Sequence, residues 1–112
     1  MSVREPERFR CLSPGQKRAV RLMQDLNCGW IQHLRVTGGE PVFDPLPEVT
    51  RRIKLGADNG PRSEMGIRDF ALRREHVQFF AHLSSLRDGV VKRIEVRHGL
   101  PCSMEVEGTV RA

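Results

Sequence analysis

Tyrosine does not occur in the 112 residues, tryptophan occurs once, and five phenylalanines are the only other aromatics. A sheet that reads single-stranded RNA by stacking needs exposed aromatics, and no strand read below carries a series of them. Cys11, Cys28 and Cys102 are odd in number, far apart and outside any CxxC. That excludes a disulfide framework and a zinc module built on paired cysteines; isolated cysteines act as small apolar residues by default. Lysine is scarce too, with Lys17, Lys54 and Lys92 the only three among nineteen basic residues. No run approaches the ~20 apolar residues of a membrane span. The start, MSVREPERFR, lacks the apolar core of a secretory signal. A cytoplasmic protein with no membrane partner is expected. Also missing are GxGxxG, GxxxxGKS or GxxxxGKT, HExxH and GxSxG. Nucleotide cradling, zinc proteolysis and serine esterase chemistry therefore have no motif behind them.

What is present describes a folded domain. Apolar residues make up 38% and charged residues 29%, which separates the chain from disordered sequences. Its length suits one domain. The expected organisation is a flexible arm over 1–11, a single α+β domain over 12–107 and a frayed tail over 108–112. The net charge is +5, and most of it lies at the start. Residues 1–28 hold six basic and three acidic side chains, while 29–66 hold five of each.

Ser13-Pro14 starts a helix, with Ser as cap and Pro in the first turn. Ala19, Leu22, Met23 and Leu26 form its apolar stripe, and Asn27 and Gly29 end it. A strand over 30–36 follows, with Trp30, Leu34 and Val36 expected on one face by the period of two. Thr37-Gly38-Gly39-Glu40 is a tight hairpin signal, leading to a short strand at Pro41–Asp44. Val49, Ile53 and Leu55 are read as the core side of a third strand, with Thr50, Arg52 and Lys54 outward. A polar loop spans 56–66. A second helix is read from Ile67 or Asp69 to Arg87, on the stripe Leu72, His76, Phe79, Phe80, Leu83 and Leu86. A closing hairpin joins 90–97 to 102–107 through a three-residue turn at His98-Gly99-Leu100, which sets Arg93 opposite Glu105. The order helix, hairpin, strand, helix, hairpin predicts two helices packed on a mostly antiparallel sheet of about five strands. No internal repeat is read along the chain.

Three stretches, GEPVFDP (39–45), KLGADNGPR (54–62) and VRHGLPCSMEVE (96–107), are similar as a set to those of small uncharacterised bacterial proteins built as helix, hairpin, helix, hairpin. Such proteins resemble the products of mobile gene cassettes. The resemblance implies no activity and no catalytic residue.

Three groups of residues are candidates for function. Lys17, Arg18 and Arg21 on the first helix, with Arg52 and Lys54 on a strand, form a basic surface for nucleic-acid phosphate or an acidic protein. Asp58, Arg62 and His98 are the candidates for a small-ligand site, or an enzyme site, at the 58–62 loop. Phe70, Val77 and Ala81 flank the core stripe of the second helix and suit burial in a homodimer. The four histidines show no metal spacing, and no serine or cysteine has a recognisable base. Neither a catalytic residue nor a metal or cofactor is assigned. A binding or adaptor function is the expectation, with the small-ligand or enzyme site as its alternative.

Overall fold

The computed structural model describes residues 7–107. Ser13 caps the first helix, α1 (Pro14–Leu26): its Oγ accepts from the Gln16 amide, while Gln16 Oε1 accepts from the Ser13 amide. That reciprocal pair satisfies two donors that a helix start leaves free. A gap of two residues leads to β1 (Gly29–Thr37), β2 (Glu40–Val42) and β3 (Glu48–Arg51). Then come α2 (Arg74–Leu86), β4 (Gly89–Arg97) and β5 (Leu100–Glu107). All pairings are antiparallel. β1 and β4 form the centre, β5 lies outside β4, and β2 and β3 share the far edge of β1. Both helices contribute to one core, with Met23, Leu26, Ile31, Leu34, Leu83 and Ile94 fully buried in it. This is the α+β arrangement expected.

The chain is an internal repeat, against expectation. Shifting the sequence by sixty positions superimposes α1–β1–β2 on α2–β4–β5 without a gap. Both helices have thirteen residues and both following strands nine. Asn27 (φ 63°, ψ −63°) and Arg87 (φ 65°, ψ −72°) end the helices in the same left-handed bend. Each is the centre of the rare positive-φ γ-turn, closed by Cys28 N–H to Leu26 O and Asp88 N–H to Leu86 O, both 2.8 Å. The hairpin tips match as well: Gly38-Gly39 and His98-Gly99 all have positive φ, as a two-residue turn of this hand requires. Each tip is bonded to the other repeat's helix end, Gly39 N–H to Arg87 O and Gly99 N–H to Asn27 O, both 2.8 Å.

Several local expectations need correction. His33 has φ 59° and breaks the two-residue alternation of β1, although the register against β4 runs through it unshifted. Ile31, Leu34 and Val36 are buried, so Trp30 points to the other face of the sheet. β3 ends at Arg51, because its partner β1 begins at Gly29. Beyond that point there is no strand to cover the chain, and Ile53 and Leu55 are 62% and 92% exposed. α2 begins at Arg74, not near residue 67. The segment before it is extended because residues 7–9 pair with it: Phe9 N–H bonds Phe70 O, and Leu72 N–H bonds Glu7 O. Residues 7–11, read as part of a flexible arm, are thus tied into the domain, with Phe9 buried. Residues 1–6 and the tail over 108–112 lie outside the described residues. The last hairpin turns on two residues, with Arg97 opposite Leu100. Arg93 still faces Glu105, since an extra residue at Cys102 restores the register.

Candidate functional site

The site is built at the C-terminal end of α1. A helix end normally presents unpaired carbonyls and partial negative charge. Here each carbonyl from Met23 to Cys28 accepts a hydrogen bond. Gln24 O takes the Arg62 amide, Asp25 O and Leu26 O take Arg51 Nη1, and Cys28 O takes the Arg52 amide. The bend at Asn27 and the Gly99 amide account for the rest. With its negative end satisfied, this corner can face an anion.

A groove of about 540 Å³ lies on it. Arg52, Lys54, Arg62, Arg97 and His98 line it, and Asp58 is its one carboxylate. The structure thereby brings together two groups that were separate in the sequence: Arg52 and Lys54, and Asp58, Arg62 and His98. Not all of these charges are free. Arg62 reaches Glu64 at 3.2 Å, and Arg97 reaches Glu95 at 2.6 Å. Asp58 Oδ1 accepts from the Gly60 amide at 2.9 Å, so it holds a turn. Asn59 staples the loop to the Lys54 backbone from both its amide atoms. The loop wall is therefore firm.

Arg52 also leaves the groove on its other side. Its guanidinium lies 4.7 Å from the Trp30 ring centre, and that of Arg93 lies 5.2 Å away. Trp30 is half-buried on the sheet face opposite the helices. The period of two puts this ring on one face with Leu34 and Val36; the left-handed break at His33, which separates them, leaves no mark in that period.

Lys17, Arg18 and Arg21 stand elsewhere, on the helix layer. Lys17 and Arg21 lie over Phe9, and Arg18 over Phe43. Arg21 is spent internally: it donates to Gln24 Oε1, Glu64 O and Ile67 O, pinning the 63–67 segment on α1. Phe70 stacks on Phe9 of its own chain at 5.0 Å, while Val77 is half-buried and Ala81 exposed.

A smaller recess of about 300 Å³ adjoins the groove and shares Arg62 and His98 with it. His76 lines its floor and is 2% exposed. His76 Nδ1 accepts from the Arg73 amide at 3.2 Å. That fixes the ring proton on Nε2, and Nε2 is buried without a partner. Burial pushes the imidazole pKa down to about 4, with Glu75 opposing and Arg73 adding to the shift. At neutral pH His76 is thus a neutral donor.

A third hollow, between α2 and β5, holds Glu75, His82 and Cys102. Burial and the nearby Glu95 raise the Cys102 pKa, and its Sγ donates to Glu95 O. It is a protonated thiol, unsuited to act as a nucleophile. Among the described residues no three His, Cys, Asp or Glu side chains form a metal site, and no helix is long and apolar enough to cross a membrane.

No family model matches the chain. Neither a curated protein nor a solved structure matches it. The function must be argued from the groove itself.

Proposed function

We propose that this protein is a cytoplasmic binding protein for single-stranded nucleic acid, with the phosphate backbone in the 540 Å³ groove and a base beside Trp30. One observation carries this reading: Arg52 belongs to the groove and to the Trp30 stack at once. A strand laid along the groove therefore meets cations first and an aromatic surface next, the combination that serves strands without sequence preference. Glu95 and Glu105 lie on the same sheet face, opposite Ser103 and Arg93 respectively, and confine the positive potential to the groove end. An acidic protein would use the cations but has no need of Trp30, so the nucleic-acid reading explains more of the site.

Trp30 is the sole tryptophan, so its fluorescence reports the site directly. Titration with a labelled oligonucleotide at low salt should raise its anisotropy and quench Trp30 together. Affinity should fall steeply with added salt, as counterion release requires. Replacing Arg52 and Lys54 together by Ala should weaken binding about tenfold or more, at roughly 1–2 kcal/mol for the two phosphate contacts. Lys17→Ala with Arg18→Ala, on the other layer, should change it little. Tight binding that ignores Arg52 and Lys54, or no binding at low salt, defeats the proposal.

A further inference from the structure

The repeat gives the 300 Å³ recess a precedent inside the same molecule. Its counterpart in the first repeat lies sixty positions earlier, where α1 begins. There Ser13 stands for Arg73, Gln16 for His76, Gly38 for His98 and Glu40 for Leu100. Glu40 turns its carboxylate onto the helix start, and Ser13 Oγ donates to Glu40 Oε2 at 2.6 Å. The first repeat thus carries its own oxyanion at that place. In the second repeat Leu100 offers none, and the capping residue has changed from a short hydroxyl to an arginine. The side chain at the third helical position has kept its capping bond, Gln16 to Ser13 and His76 to Arg73. What His76 adds is a buried Nε2–H with no acceptor. A buried donor left unpaired is destabilising, a loss that an acceptor would recover.

We infer that the recess binds an oxyanion, a phosphate or carboxylate group accepting from His76 Nε2–H, with Arg62 and Arg73 supplying the charge. Three features fit this class. The proton position on His76 calls for an acceptor. The lining side chains Arg62, Arg73 and His98 are basic, and the one carboxylate, Glu64, is already paired with Arg62. The start of a thirteen-residue helix adds its positive end. Entry is by way of the groove, since Arg62 and His98 border both. The recess does not need a strand in the groove, so the two readings stand or fall separately. Two sources could supply the oxyanion: a free small molecule, or the terminal phosphate of a strand.

The test is a titration of the whole protein with inorganic phosphate, following the His76 Nε2–H resonance by NMR. Saturable movement of that resonance is expected, weakened about tenfold or more in Arg62→Gln, which removes a charge-assisted contact. Leu100→Glu restores the first repeat's own carboxylate, at a position where its counterpart tolerates one, and should abolish the phosphate response while the protein remains folded. A parallel pair of oligonucleotides, with and without a 5′-phosphate, separates the sources. If only the phosphorylated one moves His76, and at lower concentration than inorganic phosphate, the ligand is a strand end. If both are silent while phosphate acts, it is a free molecule. A His76 resonance unmoved by inorganic phosphate and by the phosphorylated strand overturns the inference, as does a response that Leu100→Glu leaves intact.

Discussion

At the scale of single residues, His76 shows how a small change in partner becomes chemistry. Gln16 and His76 do the same capping job, but only the histidine titrates. Its pKa falls from 6.5 to about 4 on folding, chiefly through burial. Between those values the unfolded chain binds a proton and the folded chain does not. Stability is therefore complete above about pH 6.5 and declines as pH falls toward 4, by at most about 1.4 kcal/mol per unit. Glu75 and Arg73 act on the ring, and Arg62, Glu64 and His98 line the same recess. Two carboxyls with lowered pKa, Glu64 and Asp69, act in a different window. Glu64 is held down first by a backbone hydrogen bond and then by Arg62, and Asp69 first by Arg8. Their contributions are complete above the ordinary values of 4.5 and 3.8 and are lost as pH falls from there through the lowered ones. Urea unfolding at pH 7, 5.5 and 4.5 should thus show a slope in the wild type that His76→Gln flattens, Gln being the residue its counterpart already uses. An equal slope in both would assign the loss to other groups. The sequence showed His76 in an apolar stripe and supported a hydrogen-bonded core histidine. One nitrogen meets that expectation. The other could not be judged without knowing that the helix begins at Arg74, which puts His76 at the capping position.

At the scale of elements, caps and turns were the readable parts. Ser13-Pro14 and Gly38-Gly39 mark α1 and the first hairpin because local backbone geometry demands those residue types. Bulges were not readable. The extra residues at Lys92 and Cys102, and the left-handed break at His33, are decided by pairing across the sheet, and they shift which side chains face the core. The start of α2 failed for a similar reason, because residues 7–9 occupy the backbone of 70–72. Gly29 and Gly89 make the same contrast testable. They are equivalent positions, but β3 crosses only the first. A Cβ at Gly29 would sit 2.1 Å from Thr50 O, at a φ of 152° that side chains rarely adopt, whereas one at Gly89 meets only Leu86 side-chain carbons at 3.2 Å or more. Gly29→Ala should cost about 3 kcal/mol or more, through backbone clash and strain. Gly89→Ala should stay within about 1 kcal/mol, since Leu86 can yield and alanine restricts the unfolded chain. Chemical denaturation of the two variants measures both, and equal losses would show that β3 does not lie against Gly29 as described.

At the scale of the molecule, the repeat lies inside a single α+β sheet and leaves little trace in the sequence. Between residues 12 and 41 only Leu12, Leu26, Gly29, Val36, Gly39 and Pro41 recur sixty positions later. These are the positions that fix turns, close approach and the core, while the rest have diverged. The strands hide the match further. Trp30 pairs with Thr50, but its equivalent Val90 pairs with Glu107. The first repeat therefore spends three more residues between the partners, and Phe43–Pro47 takes up the excess between β2 and β3. The candidate site is built from positions that differ between the repeats or lie between them. Arg73, His76 and His98 all belong to the second repeat, and the linker between repeats supplies Lys54 and Arg62. The shared core and the crossed bonds from Gly39 to Arg87 and from Gly99 to Asn27 make each half dependent on the other. Residues 1–56 and 57–112, separated at the exposed Gly56-Ala57 link, should each be unfolded alone by circular dichroism. One helix with three strands in the first half, or two in the second, holds only part of the shared core. Mixed, they should recover the helical signal and the cooperative unfolding of the intact chain, because β1 and β4 meet edge to edge without any need of the link. A folded 57–112 fragment on its own would show instead that the second repeat, with the recess, is an independent unit, and the asymmetry between the halves would then reach stability as well as binding.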